Sequence, residues 1–288
     1  MSLRWTTISV RVPAEHADAV SNVFFEAGSG VQLDEPASSH SVNVTVKGYL
    51  AQEGDYQQTI ETIRRRMAAT VGSLVDLELD EIENEDWAVS WRESYKPFRV
   101  GRRLLVKPSW EQVKTAPDDL IIELDPGMAF GCGTHPTTAT CMVFLEKYLR
   151  PGMRVYDVGT GSGILAITAS RLGAAAVYAV DEDPMAVRVA RENIAQNGLE
   201  DQIQVGLGDL LDRLEQPADI IVANILAEVV IRLLPMANAR LVPGGLLIAG
   251  GISAPKAAGV LEAMKREGFE EVDLTNVDDW VSIVGVKR

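Results

Sequence analysis

Cysteine and histidine are scarce in this 288-residue chain: two of the first, Cys132 and Cys141, and three of the second, His16, His40 and His135. Neither cysteine sits in a C-x-x-C pair, so no zinc site, no other metal site and no disulfide framework is expected, and a reducing compartment fits. Positive charge is also short. Lys and Arg number 27 against 41 Asp and Glu, a formal charge of −14 with a pI near 4.7. That balance argues against sequence-specific nucleic-acid binding through phosphate neutralisation and favours a basic partner. No apolar run reaches the ~18 residues that a membrane helix requires. The opening "MSLRWTTISVRVPAEH" lacks the apolar core of a secretory signal, so a cytoplasmic protein with no membrane partner is expected.

What the chain does contain is the composition of a globular protein, 47% hydrophobic and 24% charged, at a length that suits two domains. "TTISVRV" reads as a strand, and Pro13 is expected to open a helix whose Val20, Val23, Phe24 and Ala27 share a face before Gly28. "GVQLDE" and "SVNVTVKGYL" read as strands, "YQQTIETIRRRMAAT" as a helix with Ile60, Ile63 and Met67 on one side, and "LVDLELDEI" as a closing strand. The order βαββαβ over residues 1–82 predicts a small α+β ferredoxin-like domain. It carries no pairing of nucleophile and base, which leaves substrate recognition or simple packing as its role.

Residues 83–97, "ENEDWAVSWRESYKP", break the pattern and read as a linker helix with Trp87 and Trp91 four apart. Residues 98–288 form the second domain. At its start, "RESYKPFRVGRRLLVK" holds six basic residues and one acidic, and a solvated charged stretch is the simpler reading. "FRVGRRLLVKPSW" and "DLIIELDP" read as a strand, a loop and a second strand.

The chemistry lies in an alternating β/α series. "AFGCGTHPTTAT" runs into a helix on which Cys141, Phe144, Leu145, Tyr148 and Leu149 make one apolar face, so Cys141 belongs to the core. Cys132, between two glycines, is freer to be exposed, but the sequence places no histidine beside it as a base. "RVYDV" then leads through Gly159-Thr160-Gly161-Ser162-Gly163 into the helix "ILAITASRLG" and the strand "AVYAVD". Glycines there let a ligand approach the backbone, and helix-start amides favour an anionic group. Position 164 is Ile, so the dinucleotide fingerprint G-x-G-x-x-G is broken and an NAD-dependent oxidoreductase is disfavoured. Asp181 ends the next strand, where a carboxylate can take both hydroxyls of a ribose, which makes the ligand nucleoside-like. Asp183 and Pro184 suit a helix N-cap and first position. Asp209 reads either as a contact to an adenine amino group or as a turn residue. Asn224 closes the strand "ADIIVANIL", where open α/β sheets bind ligands. "GGLLIAGG" is a fifth strand, and "EEVDLTNVDDWVSIVGVK" offers a terminal antiparallel pair.

"DVGTGSG", Asp181 and Asn224 together resemble a class I S-adenosylmethionine-dependent methyltransferase with a Rossmann-like sheet. More closely, "DPGMAFGCGTHPTT", "DVGTGSGILAI", "DEDPMAV", "VANIL" and the linker-like "EDWAVSWRESYKP" resemble the ribosomal protein L-eleven methyltransferase family over essentially the whole chain. The resemblance implies N-methylation of lysine and N-terminal amines on one large-subunit ribosomal protein, free or in an assembling ribosome. It implies S-adenosylmethionine as cofactor, held by Thr138, Gly159, Asp181 and Asn224, and a glycine-bearing flap around residue 132. It names no catalytic base. His135 reads either as a shaper of the pocket entrance or as a helix-start residue with a local hydrogen bond. The chain departs from the family in placing Cys132 where a threonine is usual. The rival within the fold is an RNA or small-molecule methyltransferase. The acidic balance and the absence of Pro-Pro-Tyr after Asn224 weigh against it.

Overall fold

Contacts divide the chain between Tyr95 and Lys96 into two units. The computed structural model describes residues 5–13, 16–27, 30–34, 43–51, 56–71, 76–82, 95–125, 133–212 and 214–288. The expected linker helix with Trp87 and Trp91 lies outside them, as does the stretch around Cys132.

The first unit contains β1 (Trp5–Pro13), α1 (Ala17–Glu26), β2 (Gly30–Asp34), β3 (Asn43–Ala51), α2 (Tyr56–Val71) and β4 (Glu78–Ile82). Its strands pair antiparallel in the order β2-β3-β1-β4. Ile8, Val10 and Val12 alternate along β1 and form one core with Val20, Val23 and Phe24 of α1 and Ile60, Ile63 and Met67 of α2. Both helices therefore bury their apolar stripes on the same sheet face. Pro13 ends β1 and does not open α1, which starts at Ala17. Its fixed φ and missing N–H are as compatible with a strand end as with a first helical turn.

The second unit begins with a small sheet of β5 (Phe98–Val100), β6 (Leu104–Lys107) and β7 (Leu120–Glu123). β5 and β6 form an antiparallel hairpin where one strand was expected, and β7 joins β6 in parallel. Glu146 fixes the hairpin turn, accepting the amides of Arg102 at 2.8 Å and Arg103 at 2.9 Å. The basic run is matched by carboxylates: Lys96 by Glu111 (3.1 Å), Arg99 by Asp119 (2.6 Å), Arg103 by Glu146 (3.5 Å) and Lys107 by Glu123 (2.7 Å). Hydrogen bonding from Arg99 holds the Asp119 carboxyl down at about 2. The simpler reading of that stretch is the one these pairs support.

The main sheet follows: α3 (Pro136–Tyr148), β8 (Arg154–Val158), α4 (Ile164–Arg171), β9 (Ala176–Asp181), α5 (Pro184–Gln196), β10 (Ile203–Leu207), β11 (Ala218–Asn224), α6 (Ala227–Arg240), β12 (Leu241–Ser253), α7 (Ala254–Arg266), β13 (Phe269–Val277) and β14 (Trp280–Lys287). Strand order is β10-β9-β8-β11-β12-β14-β13. β8 to β12 run parallel with one another and β14 is antiparallel to both β12 and β13, so the expected terminal pair is present. This is the α/β Rossmann-like sheet the sequence predicts.

Both faces of the sheet are buried, which explains the near-continuous apolar strands. Along β11, Ile220 and Val222 enter the core with Cys141, Phe144 and Leu145 of α3 and Leu165 and Ile167 of α4. Ile221 and Ala223 enter the opposite core with Val230 and Leu234 of α6 and Val260 of α7. Period-two alternation therefore sends Asn224 to the α3 side. Strand order reverses between β8 and β11, which makes a crevice at their carboxyl ends.

Candidate active site

The glycine loop, residues 159–163, leaves β8 at that crevice and is held at almost every residue. Amides of Gly159 and Thr160 donate to the Val180 carbonyl at 2.9 and 3.0 Å. The Gly161 amide donates to Asp181 Oδ2 at 2.9 Å, and Asn193 of α5 donates through Nδ2 to the Ser162 carbonyl at 2.8 Å. Gly163 has φ 84°, and a Cβ there would lie 3.3 Å from the Ala190 backbone of α5, so only glycine lets the two helices come this close. Gly163, the N-cap of α4, has no side chain to cap the helix, and neighbours do so instead: the Ile164 amide donates to Ser162 Oγ at 3.4 Å and the Ala166 amide to Asp157 Oδ2 at 3.0 Å.

Beneath the loop lies Asp157, the acid inside "RVYDV". It is fully buried, and its Oδ2 accepts Thr160 Oγ1 at 2.6 Å and the Ala166 amide at 3.0 Å. Burial pushes its carboxyl up to about 7, against the opposing pull of those two hydrogen bonds. Its Oδ1 is buried with no hydrogen-bond partner among the described residues. An acidic residue in an otherwise apolar central strand is the sequence signal that marks it.

Asp181, at the end of β9, accepts Gly161 on Oδ2 and the Asp183 amide on Oδ1 at 3.0 Å. Two amides fix the carboxylate while leaving lone pairs for further donors. Asp183 is the N-cap of α5, accepting the Met185 amide at 2.9 Å, a structural role as its position beside Pro184 predicts. Asp209 lies in a bend just past β10 and takes an ion pair from Arg232 at 2.9 Å.

Thr138 and Asn224, 86 residues apart, meet directly: Asn224 Nδ2 donates to Thr138 Oγ1 at 3.0 Å. Thr138 is 1% exposed. Asn224 Oδ1 is buried without a hydrogen-bond partner among the described residues, 2.9 Å from where Gly250 would carry a Cβ. The next residue, Ile225, places Cγ2 2.4 Å from the Cβ position of Gly159, so the ends of β8 and β11 touch there because Gly159 has no side chain. Sequence reasoning singled out both partners of the Thr138–Asn224 bond but not the bond.

His135 is the N-cap of α3: Nδ1 accepts the Thr137 amide at 3.4 Å and lies 2.7 Å from Thr137 Oγ1. The helix-start role is thus the one the geometry supports, with an addition. The ring also meets Trp280 edge-on at 5.0 Å between centroids. Cys141 is fully buried, and burial pushes its thiol far up, which makes it a core residue and no nucleophile. Among the described residues no group of His, Cys, Asp and Glu could hold a metal.

The site thus joins a glycine loop, a strand-end carboxylate and two buried oxygens without partners among the described residues, at the switch point of the main sheet. Comparison with known proteins agrees with this architecture. The profile of the family described as ribosomal protein L11 methyltransferase matches residues 4–288. A ribosomal protein L11 methyltransferase of Pelotomaculum thermopropionicum is 42% identical over 302 residues, covering 98% of each chain. The one from Exiguobacterium sibiricum is 42% identical over 315 residues, covering 99% of this chain and all of its own. Among solved structures, a ribosomal protein L11 methylase from Lactobacillus delbrueckii subsp. bulgaricus aligns with a TM-score of 0.64 at 35% identity, over 67% of this chain and 100% of its own. By these matches the chain belongs to the ribosomal protein L11 methyltransferase family.

Proposed function

We propose that the protein methylates amino groups of ribosomal protein L11, both lysine side chains and the N-terminal amine, in the cytoplasm and on either the free protein or an assembling ribosome. The methyl donor of the family is S-adenosylmethionine, which when bound supplies a methyl group on a sulfonium centre for in-line transfer to nitrogen. The residues present fit it. The observation that carries the fit is the Asp181 carboxylate at the end of β9, fixed by two amides with lone pairs to spare, beside the glycine loop at the carboxyl end of β8. A ribose brings the O–H donors that this carboxylate can still accept, and the side-chain-free loop gives the rest of the nucleoside access to the backbone.

Each residue then has a physical task. Asp181, held by two amides, presents free lone pairs to the ribose hydroxyls. Gly159 lets the ligand and Ile225 approach the same stretch of backbone. A lysine ammonium, of ordinary pKa ~10.4, must lose a proton before it can attack, and desolvation in the crevice favours the neutral amine. The Asn224 carboxamide oxygen accepts an amine hydrogen and aims the lone pair, so alignment and exclusion of water supply the rate. The βαββαβ unit, ferredoxin-like in its strand order, recognises the protein substrate.

The test is transfer of labelled methyl from S-adenosylmethionine to unmodified large ribosomal subunits and to free L11, with the modified residues mapped by mass spectrometry. Label in L11 amines is expected, and label in rRNA would overturn the reading. In a separate calorimetric titration, Asp181→Ala should weaken donor binding about tenfold or more, a loss of the size expected for charge-assisted hydrogen bonds.

A further inference from the structure

We infer that His135 is a positioning residue for methyl transfer: as N-cap of α3 it sets Thr138, and through Thr138 it orients the Asn224 carboxamide. The inference rests on the role proposed above for Asn224. Pro136 occupies the first helical position and has no N–H, so the Thr137 amide is the first that a cap must satisfy. His135 Nδ1 satisfies it and also lies 2.7 Å from Thr137 Oγ1. The Ala139 amide donates to the His135 carbonyl at 3.1 Å and Thr140 Oγ1 to the Pro136 carbonyl at 2.8 Å, which completes the first turn. Thr138 is the next residue of that turn.

Asn224 depends on this turn. Nδ2 donates to Thr138 and Oδ1 has no protein partner, so among the described residues Thr138 gives the carboxamide its one side-chain hydrogen bond. A first turn that frays shifts Thr138 before anything deeper in α3, and the carboxamide then loses its fixed rotation. Asn, Asp, Ser and Thr are the usual caps. An imidazole adds a second surface, and here that surface meets Trp280 at the start of β14. The cap is thereby braced against a strand of the main sheet. Donor binding through Asp181 and the glycine loop rests on β8, β9 and α5 and does not pass through this turn.

The experiment compares kcat and donor affinity for His135→Ala, His135→Asn, Asn224→Ala and the double variant His135→Ala/Asn224→Ala, with L11 as acceptor. His135→Ala should lower kcat about tenfold with the dissociation constant for S-adenosylmethionine within about twofold of wild type. His135→Asn, which restores a cap without the ring, should recover kcat to within about threefold. The double variant should be no slower than Asn224→Ala, since one route carries both effects. Unchanged kcat in His135→Ala, an equal loss of donor affinity, no recovery in His135→Asn, or multiplied losses in the double variant would each overturn the inference. An Asn224→Ala enzyme of full rate would remove the proposed role of Asn224 itself. A slow His135→Ala enzyme beside it would show that His135 acts by another route.

Discussion

Asp157 ties the glycine loop to pH through a single carboxyl. In the folded chain it is raised to about 7 from an ordinary value of 3.8, so between those values the folded state holds the proton more tightly than the unfolded state does. The stability this contributes is fully present below about pH 4 and is lost as pH climbs through about 7. Asp157→Asn removes the titrating group while keeping an oxygen for Thr160 and the Ala166 amide. Melting followed by circular dichroism from pH 5 to pH 8 should therefore fall less in the variant, by about 2–6 °C, and parallel slopes would assign the titration to another group. Residues of this kind were partly legible. Asp181, Gly159 and Asn224 could be placed by their positions at strand ends, whereas "RVYDV" was read only as a strand and its acid, Asp157, went unremarked. The bond between Thr138 and Asn224 could not be read, because it exists only once α3 lies across β11, and no periodicity in the chain encodes that crossing.

At the scale of elements, the turn from β11 into α6 is wedged between two other segments. Ile225 meets Gly159 on one side, and on the other a Cβ on Gly251 (φ 76°) would lie 2.5 Å from the Ile225 carbonyl oxygen. Gly251→Ala should cost about 1–3 kcal/mol through backbone strain and collision, and should lower kcat because Asn224 precedes the displaced turn. Gly259, inside α7, has open space around its Cβ position. Gly259→Ala should act in the opposite direction, adding about 0.5–1 kcal/mol with kcat unchanged. Differential scanning calorimetry and steady-state rates on the two variants check both signs, and a destabilised Gly259→Ala or an unaffected Gly251→Ala would count against this account. The alternating β/α series and its final antiparallel pair were legible, because two-sided burial writes long apolar runs into the strands and one-sided burial writes stripes into the helices. The β5–β6 hairpin was not, since Gly-Arg-Arg after "FRV" reads equally as a loop. Nor was the role of Asn197, whose side chain donates to the Glu123 carbonyl at 2.6 Å and accepts the Glu123 amide at 3.0 Å, as a neighbouring strand would.

For the whole molecule, the question is whether the two units divide binding from recognition. Each buries a core of its own: Ile8, Val10, Phe24, Ile63 and Met67 in the first, and the two faces of the seven-stranded sheet in the second. The glycine loop, Asp157, Asp181, Thr138 and Asn224 all belong to the second. A unit with its own core can fold without its neighbour, so a chain lacking residues 1–82 should bind S-adenosylmethionine with a dissociation constant within about threefold of the full protein, as read by calorimetry. Transfer to L11 should fall about a hundredfold or more in kcat/KM, because an in-line displacement gains its rate from holding the acceptor in place, and that holding is the task proposed for the first unit. Adding the isolated first unit back in trans should not restore the rate at micromolar concentration, since the effective concentration supplied by the covalent connection is lost. Normal methylation of L11 by the shortened chain would instead place recognition within the crevice itself and leave the first unit a structural part.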